Sequence, residues 1–332
     1  MAYDDLIAAQ ETLVCMLVTD FVENAANSCP LTAQSGRSVQ GAGLICLEIR
    51  GICSSQLSGE TPIDQTFFRH VLARLSKWRS TTHQENPPQP AAPVAILGDV
   101  HGRADLFEKM LVKLVMHEQA QKMRIILTGD LIDRGPDAAQ VLAQARALNE
   151  DPAPFSMCLP LMGNHERMAL DFLTDPVGAG PRWLANGASA TLSSYGLNVP
   201  HSRAHGQDRD AVLTELRDAL AEVMGRGLQD WLTARPLFWH ENNLFVSHAG
   251  ADPARALNAQ TEATLLWDRS GKDRKKRADG VWVAQGHLIQ PQPIAKPGRI
   301  LVDTGAWRSN CLSAALLDET GLKFIQVRSD TP

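Results

Sequence analysis

Long apolar runs are missing from this 332-residue chain. None approaches the roughly 18 residues that a membrane-spanning helix needs, so no transmembrane segment is predicted. Its six cysteines (Cys15, Cys29, Cys46, Cys53, Cys158 and Cys311) form no Cys-x-x-Cys pair and follow no regular spacing. Reduced, mostly buried thiols in a cytoplasmic protein are the expectation. A basic excess is also missing: the net charge is −5 and the pI about 6.1, which argues against a nucleic-acid footprint. The start, Met1-Ala2-Tyr3-Asp4-Asp5, is acidic where a secretory signal would be basic. No internal repeat is visible. What the chain does have is 44% hydrophobic residues, enough for one large domain with a real core plus an extension.

Organisation changes along the chain. Residues 1–60 read as an N-terminal extension, with a helix over 6–22 and a Ser-, Gly- and Cys-rich stretch over 28–60. In 64–79, Phe67, Phe68, Val71, Leu72, Leu75 and Trp78 recur at helical spacing among Arg69, Arg74, Lys77 and Arg79. A basic amphipathic helix of this kind can make peripheral contact with an anionic membrane. Packing on the catalytic domain or on a partner is the simpler expectation. The run Asn86-Pro87-Pro88-Gln89-Pro90-Ala91-Ala92-Pro93 reads as a semi-rigid linker, so 61–92 forms a connecting segment and 93–329 the catalytic domain.

From Val94 onward, short apolar runs alternate with helical patterns. Strands are predicted over 94–97, 124–128, 157–162, 244–247, 281–285, 299–302, 312–317 and 323–327. Helices are predicted behind the first three and again over 209–224. Such alternation argues an α/β fold with buried, largely parallel central strands.

Polar motifs sit just past several of these strands: Gly98-Asp99-Val100-His101-Gly102, Gly129-Asp130-Leu131-Ile132-Asp133-Arg134-Gly135, Gly163-Asn164-His165-Glu166, His248-Ala249-Gly250 and Gly286-His287. Loops at the carboxyl ends of strands converge on one rim, where ligands collect in open α/β sheets. Their glycines let the backbone turn sharply there. Asp99, His101, Asp130, Asn164, His248 and His287 are oxygen and imidazole donors. Such a mixture suits Mn, Fe or Zn better than Mg. Six donors are too many for one tetrahedral ion, but they fit two ions sharing Asp130 as a bridge.

This series of motifs resembles the phosphoprotein phosphatase family of the calcineurin-like metallophosphoesterases, its bacterial and phage serine/threonine phosphatases above all. The resemblance runs from about Val94 to Leu317. It implies a four-layer α/β/β/α sandwich with two central mixed sheets. It implies two divalent ions, Mn2+ first and Fe or Zn as alternatives, with Asp99 and His101 on one, Asn164, His248 and His287 on the other, and Asp130 on both. Direct attack of a metal-bridging hydroxide on the phosphate follows, without a phosphoenzyme. By the same resemblance His165 is the general acid, Asp133 hydrogen-bonds it and keeps it protonated, and Arg134 and Arg269 grip the phosphate. Two departures fall at the substrate rim: Leu288 stands where the family has Thr, and Trp307-Arg308-Ser309-Asn310 replaces a Gly pair.

The substrate expected is a phosphorylated protein, or else a small phosphoester or dinucleotide. A symmetric bis(5'-nucleosyl)-tetraphosphatase (diadenosine tetraphosphate hydrolase) is the alternative. Glu166 and Asp133 favour the protein phosphatase branch, because the other tends to carry GNHD and to lack the Asp of GDxxDRG. Cyclic-nucleotide-type phosphodiesterases carry GHxH, and here Ile289 occupies the second His position. A non-catalytic scaffold would be expected to have lost ligands, and none is missing. Glu166 receives no chemical role, and Trp183, Trp231 and Trp239 read as core.

Overall fold

Val94–Leu97 (β1) carries no polar side chain, and both of its faces are buried. The computed structural model shows why, and describes residues 87–198, 209–270 and 275–329. The expectations for 1–60 and for a helix over 64–79 lie outside the described residues. β1 runs parallel to β2 (Arg124–Leu127), which runs parallel to β3 (Met157–Pro160). On its other side it pairs antiparallel with β9 (Cys311–Asp318), and β9 with β10 (Gly321–Arg328). This gives one mixed sheet in the order β10-β9-β1-β2-β3. The second sheet, also mixed, has the order β4-β5-β6-β8-β7. Its strands are β4 (Phe238–Glu241), β5 (Leu244–Ser247), β6 (Trp282–Gln285), β7 (Ile294–Lys296) and β8 (Arg299–Leu301).

Period-two alternation divides β1 between two cores. Ala95 and Leu97 join a helical core with Phe107, Met110 and Leu114 of α1 (Ala104–Val115). Val94 and Ile96 instead meet Val246, Trp282, Ala284 and Ile300 of the second sheet. The two sheets therefore pack face to face. The outer face of the second sheet places Phe245 and Val283 with Leu265 of α7 (Glu262–Trp267), which is the fourth layer. Each large side chain buried this way stabilises the fold by about 1.5–3 kcal/mol.

On the helical side of the first sheet lie α2 (Ala138–Glu150), α3 (Asn164–Thr174), α4 (Pro176–Ala185), α5 (Ala188–Ser194) and α6 (Arg209–Thr233). α3 starts at Asn164 rather than behind the motif, so Asn164, His165 and Glu166 are its first turn. α6 runs past the expected end at 224, but Gly225 (φ 67°, ψ 154°) breaks it there. α4 and α5 had no counterpart in the sequence pattern, which is rich in Gly, Ala and Ser over this stretch. Asp175 starts α4 by accepting the Gly178 N–H (2.9 Å), with Pro176 at its first position.

The Pro-rich stretch is a strap fastened to the body of the domain, not a free linker. Gln89 N–H donates to Asn243 Oδ1 (2.7 Å), and Asn243 donates back to Pro87 O (2.8 Å). Ala91 N–H donates to Glu241 Oε2 (2.7 Å). Arg124 of the first sheet donates to both Glu241 oxygens and to Ala92 O. These bonds join the described residues 87–92 to the compact unit that holds both sheets.

Candidate metal centre

The motifs converge where β1, β2, β3, β5 and β6 end. Asp130 is the hub. Its Oδ1 accepts the His165 N–H (3.0 Å), which docks the carboxylate on the N-terminus of α3. Two groups of potential ligands share it: His101, Asp130 and His165, and Asp130, His248 and His287. Asn164 joins the second through Oδ1, 2.7 Å from His248 Nε2. His287 Nδ1 is 3.0 Å from the same nitrogen, and Asp130 Oδ1 3.4 Å. In the first group His101 Nε2 lies 3.5 Å from Asp130 Oδ2.

The tautomers show what this arrangement needs. His101 Nδ1 donates to Ile132 O (2.7 Å) and His248 Nδ1 to Thr128 O (3.0 Å). The Nε2 of each therefore turns a lone pair into the centre, as in metal-binding histidines oriented by a backbone carbonyl. At His248 that lone pair meets an amide oxygen and a carboxylate. Acceptors converging on acceptors call for a cation, and the donor set fits borderline divalent ions.

Asp99 stands apart from both groups. Its carboxylate takes the His287 N–H (3.0 Å to Oδ2) and Thr128 Oγ1 (3.2 Å), and it lies against Asp303. Burial, with Asp303 and Asp130 nearby, raises its pKa well above the usual carboxylate range. Burial likewise raises Asp130 and lowers His101 and His248. It pushes His287 down to about 4, with the Arg269 charge adding to the effect. Both directions follow from burial, which disfavours the charged form of a carboxylate and of an imidazole alike.

The backbone is bent to make this convergence. His101, Asp130, Asp133, Arg134 and His287 all adopt positive φ, five of the seven such non-glycine residues among those described. Left-handed conformations cost free energy in these residue types and gather at functional sites. Glu166, for which no chemical role is expected, holds the loop that carries Asp130, Asp133 and Arg134. Its carboxylate accepts the N–H groups of Asp130 (2.8 Å), Leu131 (2.7 Å), Ile132 (3.3 Å) and Gly163 (2.9 Å). A Cβ at Gly163 would fall 2.3 Å from Asp130 Oδ1, so only glycine fits there.

His165 and Asp133 form the expected pair: Nδ1–H donates to Oδ2 at 2.6 Å. Asp133 is fixed in turn by Trp183 Nε1 (2.9 Å) and Thr191 Oγ1 (2.6 Å). Trp183 is core, as expected, but its N–H serves the site. Thr191 carried no signal in the sequence at all. Burial pushes Asp133 up to about 7 against these donors. Burial and the Arg134 charge hold His165 down to about 3, so its imidazole is neutral here. Arg134 donates to His165 Nε2 (2.9 Å) and to His101 Nε2 (3.0 Å).

A cleft of about 850 Å³ opens over Asp130, Asn164 and His287. Among the described residues, Arg134, Arg182, Arg269 and Arg308 line it against the single carboxylate of Asp130. Arg269 is thus exposed at the cleft, and its charge reaches His287 of the Asp130 cluster. Leu288 and Trp307, which depart from the family pattern, form part of the wall with Ile289.

Residues 92–291 match the family described as calcineurin-like phosphoesterase. An asymmetrical bis(5'-nucleosyl)-tetraphosphatase of Oceanobacillus iheyensis is 22% identical over 72% of this chain and 93% of its own length. Serine/threonine-protein phosphatase 2 of Escherichia coli is 33% identical, but over 32% of this chain and 44% of its own length. A symmetrical bis(5'-nucleosyl)-tetraphosphatase of Dechloromonas aromatica is 27% identical over 51% of this chain and 50% of its own length. The chain thus matches half or less of these last two relatives. Among solved structures, a candidate diadenosine tetraphosphatase superposes with a TM-score of 0.50 at 20% identity, covering 74% of this chain and 97% of that one, which bears on the fold alone. With more than half of its length matched, the chain belongs to the calcineurin-like phosphoesterases, a family of metal-dependent phosphoester hydrolases.

Proposed function

We propose that the chain is a two-metal phosphomonoesterase that acts on phosphoserine and phosphothreonine in proteins. The observation that carries the reading is the His165–Asp133 pair beside two ligand groups that share Asp130. Asp99, His101 and Asp130 would hold one ion; Asp130, Asn164, His248 and His287 would hold the other. Mn2+ suits this donor set, with Fe or Zn as alternatives. When bound, the ions supply Lewis acidity to the phosphoryl oxygens and to the attacking water.

The remaining work falls to this chain's own residues. Arg134 turns its two-pronged guanidinium from the imidazoles onto two phosphoryl oxygens. That move frees His165 Nε2 and neutralises the charge that lowers its pKa. The phosphate dianion then favours the imidazolium, which protonates the departing alkoxide. Asp133 holds Nδ1–H throughout, so Nε2 is the only nitrogen that exchanges a proton. Arg269 at the cleft mouth adds positive potential for the incoming phosphate. A cytoplasmic setting accords with Cys158 and Cys311, which are free and buried.

A second reading, a symmetric bis(5'-nucleosyl)-tetraphosphatase, draws on the four arginines around one carboxylate among the described residues of the cleft, an excess suited to several phosphates. A substrate panel at fixed Mn2+ separates the two. It compares phosphoserine and phosphothreonine peptides, diadenosine tetraphosphate and p-nitrophenyl phosphate. The expected result is a kcat/KM for the phosphopeptides at least about tenfold above that for the tetraphosphate. The reverse order would replace the first reading with the second. No hydrolysis of any of them with both ions bound would end the enzymatic reading.

A further inference from the structure

We propose that Trp307 is a positioning residue that aims Arg134 at the substrate phosphate. The inference rests on the reading of Arg134 as the phosphate-binding arginine. It starts from how that side chain is held. Its backbone N–H donates to Gly187 O (3.2 Å), and its stem runs along Gly187, where a Cβ would come 2.9 Å from Arg134 Cγ. Its guanidinium carbon sits 5.3 Å from the centre of the Trp307 ring. Among the described residues no carboxylate lies within ion-pair distance of it.

The choice of a ring has a physical consequence. A carboxylate would fix the guanidinium but cancel its charge, and would then compete with the phosphate. An aromatic face attracts the cation and leaves its N–H groups and its net charge available. Arg134 is held on the side that faces Trp307, and its donors remain free to move from His101 and His165 to an anion.

Trp307 is itself built into place. It is 36% exposed, a large apolar side chain kept at the rim of the cleft. It lies on α8 (Ala306–Ser309), a four-residue helix flanked by two left-handed residues, Gly305 (φ 70°) and Asn310 (φ 53°). Asp303 Oδ1 accepts the Gly305 N–H (2.7 Å). The buried Arg103 donates to Ala306 O (3.2 Å) and to Asn310 Oδ1. Neither the burial of the ring nor ordinary turn geometry explains why so short a helix is clamped from both ends. Presenting a fixed aromatic face to Arg134 does.

The test uses the full chain loaded with Mn2+ and inorganic phosphate as the probe. Phosphate affinity is measured by calorimetry, together with KM and kcat on p-nitrophenyl phosphate and bound metal, for Trp307→Leu, Trp307→Phe and Arg134→Ala. Trp307→Leu should weaken phosphate binding and raise KM by about three- to tenfold, with kcat changed less and metal content unchanged. Trp307→Phe keeps an aromatic face and should stay within about twofold of the parent. If Trp307→Leu leaves phosphate affinity intact while Arg134→Ala weakens it, the role of Trp307 is overturned and that of Arg134 stands. If Trp307→Phe loses as much as Trp307→Leu, the ring face is not what matters and the inference fails. If Arg134→Ala itself has no effect on phosphate affinity, the reading of Arg134 falls, and the inference falls with it.

Discussion

Asp133 shows how much of the chemistry rests on residues that never touch a substrate. Its Oδ2 receives two donors, His165 Nδ1 and Trp183 Nε1, and its Oδ1 receives Thr191 Oγ1. Thr191 Oγ1 also accepts the Asp133 N–H at 2.8 Å, so one hydroxyl fixes both the backbone and the side chain of the pair. Thr191→Val keeps the shape and removes both bonds. A buried hydrogen bond to a charged group contributes about 1.5–3 kcal/mol, so kcat on alkyl phosphates should fall roughly ten- to hundredfold. The loss should be smaller on p-nitrophenyl phosphate, whose leaving group needs little protonation. His165→Asn sets the limit of the effect, and metal content should be unchanged in both variants. Equal losses on both esters would show that Thr191 acts through something other than proton delivery.

The element that carries Trp307 is anchored by charge. Arg103 Nε and Nη2 both bond Asp105 at 2.8 Å, which steadies the guanidinium that clamps α8. Hydrogen bonding from Arg103 holds Asp105 down to about 2, below its ordinary value of about 3.9. A carboxylate with a depressed folded pKa adds stability above its unfolded pKa and loses it as pH falls through the folded one. Asp105→Asn lacks that contribution at every pH. Parent and variant should therefore differ in Tm near neutrality and converge by about pH 2. A gap that persists in acid would mean that the clamp does not depend on the charge. The helices that support Asp133 were the least legible part of the sequence. α4 contains Gly178, Gly180 and Pro181, and α5 is mostly Ala and Ser, so local propensity reads both as loop. Burial of Trp183 and Leu192 overrides that propensity, and no periodicity in so short a stretch announces it. The core strands were legible for the opposite reason: β1, β2 and β5 are apolar almost throughout, and each ends on a motif.

At the scale of the whole molecule, the motif series let the cluster around Asp130 be read from the sequence, because each motif is contiguous and ends a strand. What joins the two sheets was not readable, because it depends on pairs far apart in the chain. Glu241 at the end of β4 and Arg124 at the start of β2 belong to different sheets, and they meet at 2.5 Å. The strap from Pro87 to Pro93 runs over this pair. It gives the Ala91 N–H to Glu241 and the Ala92 carbonyl to Arg124, and ties Pro87 and Gln89 to the turn at Asn242 and Asn243. Composition alone reads this segment as a linker, since its prolines disfavour helix and strand alike. Stiffness is what makes it useful as a strap, because an extended Pro-rich segment loses little entropy on docking. A chain starting at residue 87 should therefore melt above one starting at residue 93. The strap's hydrogen bonds are partly exposed and together contribute about 1–3 kcal/mol, a Tm difference of about 3–8 °C for a unit of this size. Thermal unfolding of the two fragments measures it, and metal content tells whether the loss reaches the site. Equal Tm values would return the segment to the status of linker. A lower Tm with the ions still bound would place the strap's effect at the lower ends of the sheets, away from the rim where the motifs converge.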